Sequence, residues 1–466
     1  MGSRISGGML LLTAAVVSGC AEPPPAVDLI IDNVTVIDPV TGSAPGQRVV
    51  IEGDRIVAVS TMAEPAPPAA TVIDGTGRFL IPGLWDMHVH FLYDEALTAA
   101  MPALFLRYGV TSVRDTGGDM ARLADLRREI RASGQPAPRI FLSGPLLDGR
   151  FVVYDGGDPD RPPLGIDVSA AAVAEQRVAA LAAAGADFIK IYELVSPEVF
   201  QALVDAARAR DLPIAAHVPL TLTADEAGSL VDSMEHLRNV ELACAAGWAD
   251  LLAARRARIS GFEEGRGFDL RAELHAGQRL PAIADYDAER CDRVLAALRD
   301  TIQVPTLRLN AFDLARPYRR DDWDAALADL PAAVAASWSE AVAAHRADAD
   351  VDLTFAEWSL FLVGRMQQAG VPIGAGTDTP ITQAIPGYSL HTELALLVES
   401  GLTPLEALRA ATVMPARFFD LEETMGRIAP GMTADLVLLD ADPMADIEHT
   451  RRIAGVMAAG RWLPSP

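Results

Sequence analysis

The sequence predicts an α/β chain: a (β/α)8 TIM-like barrel carrying a small β-sandwich built from both chain ends. Three observations predict it. Through the middle of the chain, apolar runs of four to eight residues alternate with Ala-rich helical stretches, as in Asp187 to Glu193, Pro197 to Ala209 and Pro213 to His217. That alternation is the signature of a parallel sheet with crossover helices. Both ends instead read as short alternating strands broken by turn residues. The length, 466 residues, suits one large barrel with an appendage.

Residues 1–20 read as a leader rather than as fold. Arg4 supplies a positive start, and Gly8 to Gly19 is an apolar run of signal-peptide length, shorter than the roughly 20 residues a spanning helix needs. The run ends in Val17-Ser18-Gly19-Cys20, which looks like a bacterial lipobox with Cys20 as the lipidated mature N-terminus. Residues 21–27 form a Pro-containing tether, and Ala21 after the Cys suggests, by analogy, the outer membrane. The expectation is an exported lipoprotein facing the periplasm, touching the membrane only through the lipid on Cys20.

Residues 28–80 carry strand-like runs at Leu29–Ile31, Thr35–Ile37, Arg48–Ile51 and Arg55–Val59. Residues 424–464 repeat the style at Ala434–Leu439 and Ile453–Met457. Neither end can make a core alone, so they are expected to pair into the sandwich. Residues 81–423 supply eight strand candidates: Leu84–His90, Val110–Thr116, Arg139–Gly144, Phe188–Glu193, Pro213–Val218, Ser233–Leu237, Val304–Leu307 and Val371–Thr377. Helical insertions at Trp248–Asp300 and Tyr318–Arg365 are placed to cap the mouth and shape a pocket.

Half of the residues are hydrophobic and 22% are charged, which describes a globular chain with a sizeable core. The net charge of −24 repels phosphate backbones, so nucleic acid is not expected as a partner. The expected partner is a small-molecule or dipeptide substrate, and a homo-oligomer stays open. Cys244 and Cys291 could form a disulfide or stay as free buried thiols.

The strongest chemical signal is Trp85-Asp86-Met87-His88-Val89-His90. Residues two apart on a strand face the same side, so both imidazoles project together, and neutral imidazole suits zinc and similar ions. Four further candidates each sit late in their own predicted strand: Lys190, His217, His236 and Asp378. Barrel enzymes keep their chemistry at these strand ends. A lysine inside an apolar strand is costly unless paired or modified.

On these residues the chain resembles the amidohydrolase superfamily, binuclear branch, over nearly all its length after the leader. It is nearest the Xaa-Pro-dipeptidase-like and imidazolonepropionase-related members. Ile81-Pro82-Gly83, the segment Gly401 to Leu408, Ala411 to Ala416 and Gly426 to Gly431 agree with that resemblance. The resemblance implies two divalent metal ions, zinc by ligand type. His88 and His90 would hold the more buried ion, His217 and His236 the more exposed one, and Lys190 would bridge both as a CO2-derived carbamate. Asp378 would ligate the buried ion and act as general base and then general acid around a metal-bridging hydroxide. The retained lysine, and Val218-Pro219-Leu220 after His217, favour hydrolysis of an amide, ester or lactone over deamination.

Tyr192, Arg238 and His391 are weaker candidates for contacts to substrate, Arg238 as a partner for a carboxylate. His275, His345 and His449 are assigned to solvent or structural roles. The function expected is cleavage of an amide C–N bond in a dipeptide or N-acyl amino acid. The alternatives are a lactonase, esterase or xenobiotic amide hydrolase on the same site, or a catalytically dead, surface-anchored binding protein.

Overall fold

The computed structural model describes residues 1–2, 26–158, 161–346 and 351–465. Cys20, the leader around it and most of the tether lie outside those residues. Among the described residues no helix is long and apolar enough to cross a membrane.

The chain ends pair as expected, but into one connected sheet of eight strands rather than two separate layers. The reason lies in the strand Val27–Asp38. Its first half runs parallel to Ala69–Asp74 and its second half parallel to Phe79–Pro82, while Gly42–Glu52 follows it antiparallel throughout. Asn33, with φ of 56°, breaks the strand between those halves. The C-terminal strand Leu436–Leu439 docks antiparallel on Phe79–Pro82, so the two ends share one apolar core around Ile31, Val49, Leu80 and Leu438.

The middle of the chain forms two parallel sheets. One orders Leu84–Val89, Val110–Asp115 and Arg139–Leu142 side by side. The other contains Ile189–Ile191, Ile214–Ala216, Ser233–Glu235 and Ile302–Val304 in consecutive register, with two short strands, Leu146–Asp148 and Gly165–Asp167, added at one edge. Backbone hydrogen bonds join the sheets at both ends. Asp187 N donates to Leu142 O at 2.8 Å. On the far side, Asp378 N donates to His88 O and Gly374 N donates to Gln303 O, each at 2.8 Å.

Two strand expectations are corrected. Val371–Thr377 is extended but makes only isolated bridges, Ile373 to Gln303 and Thr379 to Val89. Pro372 has no amide to donate. A side chain at Gly374 or Gly376 would strike Met87 Sδ at 2.4 Å or the Cβ of His88 at 2.9 Å. The segment therefore trades regular pairing for close approach. Val304–Leu307 also shortens: the strand is Ile302–Val304, and Leu307–Asn310 is already helical. Thr306 between them adopts φ of 46°.

The first insertion folds as three helices, Trp248–Ser260, Gly267–Ala284 and Ala288–Ala297. Cys291 on the third is disulfide-bonded to Cys244, with Cα atoms 4.3 Å apart. The thiols left open by the sequence are thus paired, tying the insertion to the segment that follows His236.

Candidate metal centre

Four strands of the parallel sheets carry site groups at or just past their C-terminal ends: Leu84–Val89 brings His88 and His90, Ile189–Ile191 brings Lys190, Ile214–Ala216 brings His217 and Ser233–Glu235 brings His236, while the segment 371–379 supplies Asp378. His88, His90, His217, His236 and Asp378 line one cavity of about 130 Å3, and Lys190 is fully buried within the same cluster of groups. All six predicted ligands are brought together. His88, His236 and Asp378 each offer a ligand atom within 4.8 Å of the others. The His88 and His236 rings are 4.4 Å apart by centroid, and the His217 and His236 rings 4.6 Å.

The backbone is strained to achieve this. His236 and Asp378 hold φ of 62° and 61°, a left-handed conformation that costs a residue with a side chain about 1–2 kcal/mol. Such residues persist where the surrounding structure fixes them, and they gather at functional sites.

Hydrogen bonds then set which nitrogen of each ring faces the cavity. Nδ1 of His88 lies 2.7 Å from Glu235 Oε2, an ionised carboxylate that can only accept. Nδ1 of His236 lies 2.7 Å from Thr306 Oγ1, whose own proton goes to Pro305 O, so the hydroxyl accepts from the ring. Nδ1 of His90 approaches Gly117 O at 3.4 Å. Each ring therefore donates through Nδ1 and carries its lone pair on Nε2. Nε2 of His88 and of His90 lie 3.3 and 3.2 Å from Asp378 Oδ1, yet Oδ1 makes no well-aligned hydrogen bond. These atoms converge on a common point rather than on one another.

Three buried polar atoms in the cluster make no hydrogen bond among the described residues: Lys190 Nζ, His217 Nδ1 and Asp378 Oδ1. Orphaned groups of this kind are rare in buried positions, and their chemistry fits cations held by imidazole and carboxylate. Burial pushes the Lys190 ammonium down to about 7, against an ordinary value of 10.5, so its neutral amine is accessible near neutral pH. The nearest carboxylate oxygen, Glu235 Oε1, is 3.9 Å away.

Glu235 is the functional residue that sequence reasoning missed. Besides His88 it binds Arg114 Nη2 at 2.7 Å and Ser233 Oγ at 2.9 Å, and Arg114 itself sits over the Phe418 ring at 4.5 Å. Burial opposes ionisation of Glu235, but the charge of Arg114 overrides it and holds the carboxyl well below its usual range.

Of the weaker candidates, Tyr192 and Arg238 line the cavity and His391 does not. Both His391 nitrogens are engaged elsewhere, with Thr450 Oγ1 at 2.9 Å and Tyr108 O at 3.0 Å, so its expected contact with substrate is withdrawn. His275 is not a solvent residue. The helix Gly267–Ala284 buries it 2.5 Å from Glu193 Oε2, directly behind the cavity wall. His345 and His449 hold Asp313 Oδ1 and Asp442 O, which are structural roles. Among the cavity residues unforeseen in the sequence are Tyr154 and Arg271.

Comparisons with known proteins place the chain among metal-dependent hydrolases by similarity. The amidohydrolase family profile matches residues 361–463, and imidazolonepropionase of Cereibacter sphaeroides is 26% identical over 412 residues, covering 87% of this chain and 91% of that one. The last quarter of the chain is thus similar to the amidohydrolase family. The chain's overall fold is shared with a Xaa-Pro dipeptidase crystallised with methionine, at a TM-score of 0.66 and 20% identity, covering 94% of this chain and 99% of that one. Bottromycin amidohydrolase superposes with a TM-score of 0.68 at 23% identity, over 94% and 87% of the two chains. The amidohydrolase profile falls on the last quarter of the chain, which includes Asp378. The histidine and lysine positions are carried by the geometry.

Proposed function

We propose that this chain is an enzyme of the amidohydrolase family that cleaves an amide C–N bond of a small substrate, using two divalent cations held by His88, His90, Lys190, His217, His236 and Asp378. The supporting observation is that Nε2 of His88 and of His90 turn to within 3.3 and 3.2 Å of Asp378 Oδ1, while His88, His236 and Asp378 each offer a ligand atom within 4.8 Å of the others. We read the two parallel sheets and the bridging segment 371–379 as a closed (β/α)8 barrel, with the cluster at its mouth. Zinc suits this donor set, and bound cations would polarise the scissile carbonyl and acidify the attacking water.

The chain's own residues do the rest. Lys190, poised near neutrality, can add CO2 through its neutral amine and so exchange a repulsive ammonium for an anionic bridge. Asp378 takes the proton of the attacking water and returns it to the leaving nitrogen. Glu235 and Thr306 fix the tautomers of His88 and His236. Arg238 and Tyr192 face the substrate across the cavity. The names of the solved neighbours, a dipeptidase and an amidohydrolase, support an acyclic amide over a lactone or ester. Export and a lipid anchor at Cys20 belong to the same reading, supported by the lipobox-like leader and by the Cys244–Cys291 disulfide, which suits an oxidising compartment.

The test is a mass-spectrometric hydrolysis screen of protein truncated after Cys20 and loaded with zinc and bicarbonate. It would offer dipeptides, N-acyl amino acids, lactones and esters, with Asp378→Asn as control. Amide cleavage that vanishes in the variant supports the reading, and cleavage confined to lactones or esters overturns the choice of bond.

A further inference from the structure

Beyond the ligand cluster, the cavity has a second wall with an unequal charge inventory. Arg238, Arg271, Tyr154 and Tyr192 line it together with aliphatic side chains such as Leu309 and Ile381. Behind them lies the fully buried carboxylate of Glu193. Arg271 Nε donates to Glu193 Oε1 at 2.9 Å, and His275 Nε2 approaches Oε2 at 2.5 Å. Arg271 is therefore neutralised by a direct bond. Arg238 is not: its Nε is 3.7 Å from Glu193 Oε1 and, although buried, makes no hydrogen bond among the described residues. Glu193 thus bonds Arg271 directly and leaves the Arg238 Nε without a hydrogen bond of its own.

The same inventory excludes the opposite charge. Asp378 is the one carboxylate among the cavity-lining residues, and it belongs to the cation cluster. The other polar side chains of the lining are imidazoles, phenols and guanidiniums, none of which offers an ammonium a negative charge, and such a group would lie among two guanidiniums and bound cations. A charged group brought out of water into a site with no counter-charge is strongly disfavoured. A carboxylate there would instead satisfy the donor that Arg238 leaves open.

We infer that the preferred substrate is an N-acyl amino acid, with its free carboxylate on Arg238, its amide at the His–Asp cluster and no free α-ammonium. This rests on the C–N hydrolase reading and narrows it. One water is consumed: its oxygen adds to the acyl carbon, the C–N bond breaks, the proton reaches the nitrogen, and a carboxylic acid and an amino acid leave. An apolar acyl or amino-acid side chain fits against Leu309 and Ile381.

Calorimetry on the zinc- and bicarbonate-loaded Asp378→Asn protein tests this without turnover, using N-acetyl-L-leucine, N-acetyl-L-leucinamide and L-leucyl-L-leucine. The same three compounds are given to the wild-type enzyme and followed by mass spectrometry. N-acetyl-L-leucine is expected to bind roughly tenfold to a hundredfold more tightly than either of the others. Arg238→Gln should erase its advantage over the leucinamide. Equal or tighter binding of leucyl-leucine, or no difference between acid and amide, overturns the inference while leaving the hydrolase reading intact. Carboxylate-dependent binding without cleavage of any amide would overturn the hydrolase reading and still support the Arg238 site.

Discussion

Glu235 Oε2 lies 2.7 Å from Nδ1 of His88, a residue 147 positions away in the chain. The bond fixes the tautomer of His88, and the Arg114 guanidinium fixes Glu235 in turn. Replacing Glu235 by Gln keeps the shape but removes the charge that orients and enriches the imidazole. Glu235→Gln is expected to weaken metal affinity by about 10–100-fold, measured by competition with a chromophoric chelator. Unchanged affinity would show that the His88 ring is held by packing alone.

Lys190 makes no hydrogen bond and is fully buried. Its amine stands 3.9 Å from Glu235 and makes no hydrogen bond to lose, so Lys190→Ala is expected to fold and yet to lose bound metal and at least ~100-fold in kcat/KM. Wild-type enzyme stripped of metal should recover faster when zinc is returned with bicarbonate than with zinc alone. Metal content and turnover unaltered in Lys190→Ala would remove the bridging role.

The disulfide between Cys244 and Cys291 spans 47 positions. A loop of that size restricts the unfolded chain by about 4 kcal/mol in the chain-entropy account. Cys291→Ser, or reductant, should therefore lower the melting temperature of the truncated protein by several degrees. A melting temperature indifferent to reductant would show that the bond contributes no stability.

Glu393 supplies a pH dependence away from the cluster. It is fully buried and accepts from Arg308 N at 2.7 Å, and burial pushes its carboxyl from 4.5 up to about 8. The folded state then binds a proton that the unfolded state has already released, so stability falls as pH rises from about 4.5 to about 8 and levels off beyond. Over that window the loss is of the order of a few kcal/mol. Glu393→Gln, which mimics the protonated form, should flatten the decline in urea midpoint between pH 5.5 and 8.5. An equal slope in both proteins would place the titration elsewhere.

The sequence discloses what depends on period and chain order. His88 and His90 are two apart on a strand, and Lys190, His217, His236 and Asp378 each end an apolar run, so their convergence follows from parallel-sheet topology. What depends on distant contact stays hidden. Glu235 is adjacent to His236, but its value comes from Arg114, 121 positions away. Thr306 reads as the middle of a strand until its left-handed backbone turns the hydroxyl toward His236. His391 follows the segment 371–379 closely, yet the helix Tyr388–Glu399 turns it toward Thr450. Arg271 and His275 sit in an insertion whose docking no local pattern encodes. The pairing of the two chain ends was readable from their composition, whereas their merger into one sheet depends on the break at Asn33.

The central claim is that His88, His90, Lys190, His217, His236 and Asp378 form one two-cation site. The most direct test is the zinc content per chain, by elemental mass spectrometry, of protein reconstituted with zinc and bicarbonate, beside a His217→Ala, His236→Ala double variant. Two equivalents in the wild type and one in the variant are predicted. Less than one equivalent in the wild type, or an identical content in both proteins, would contradict the account.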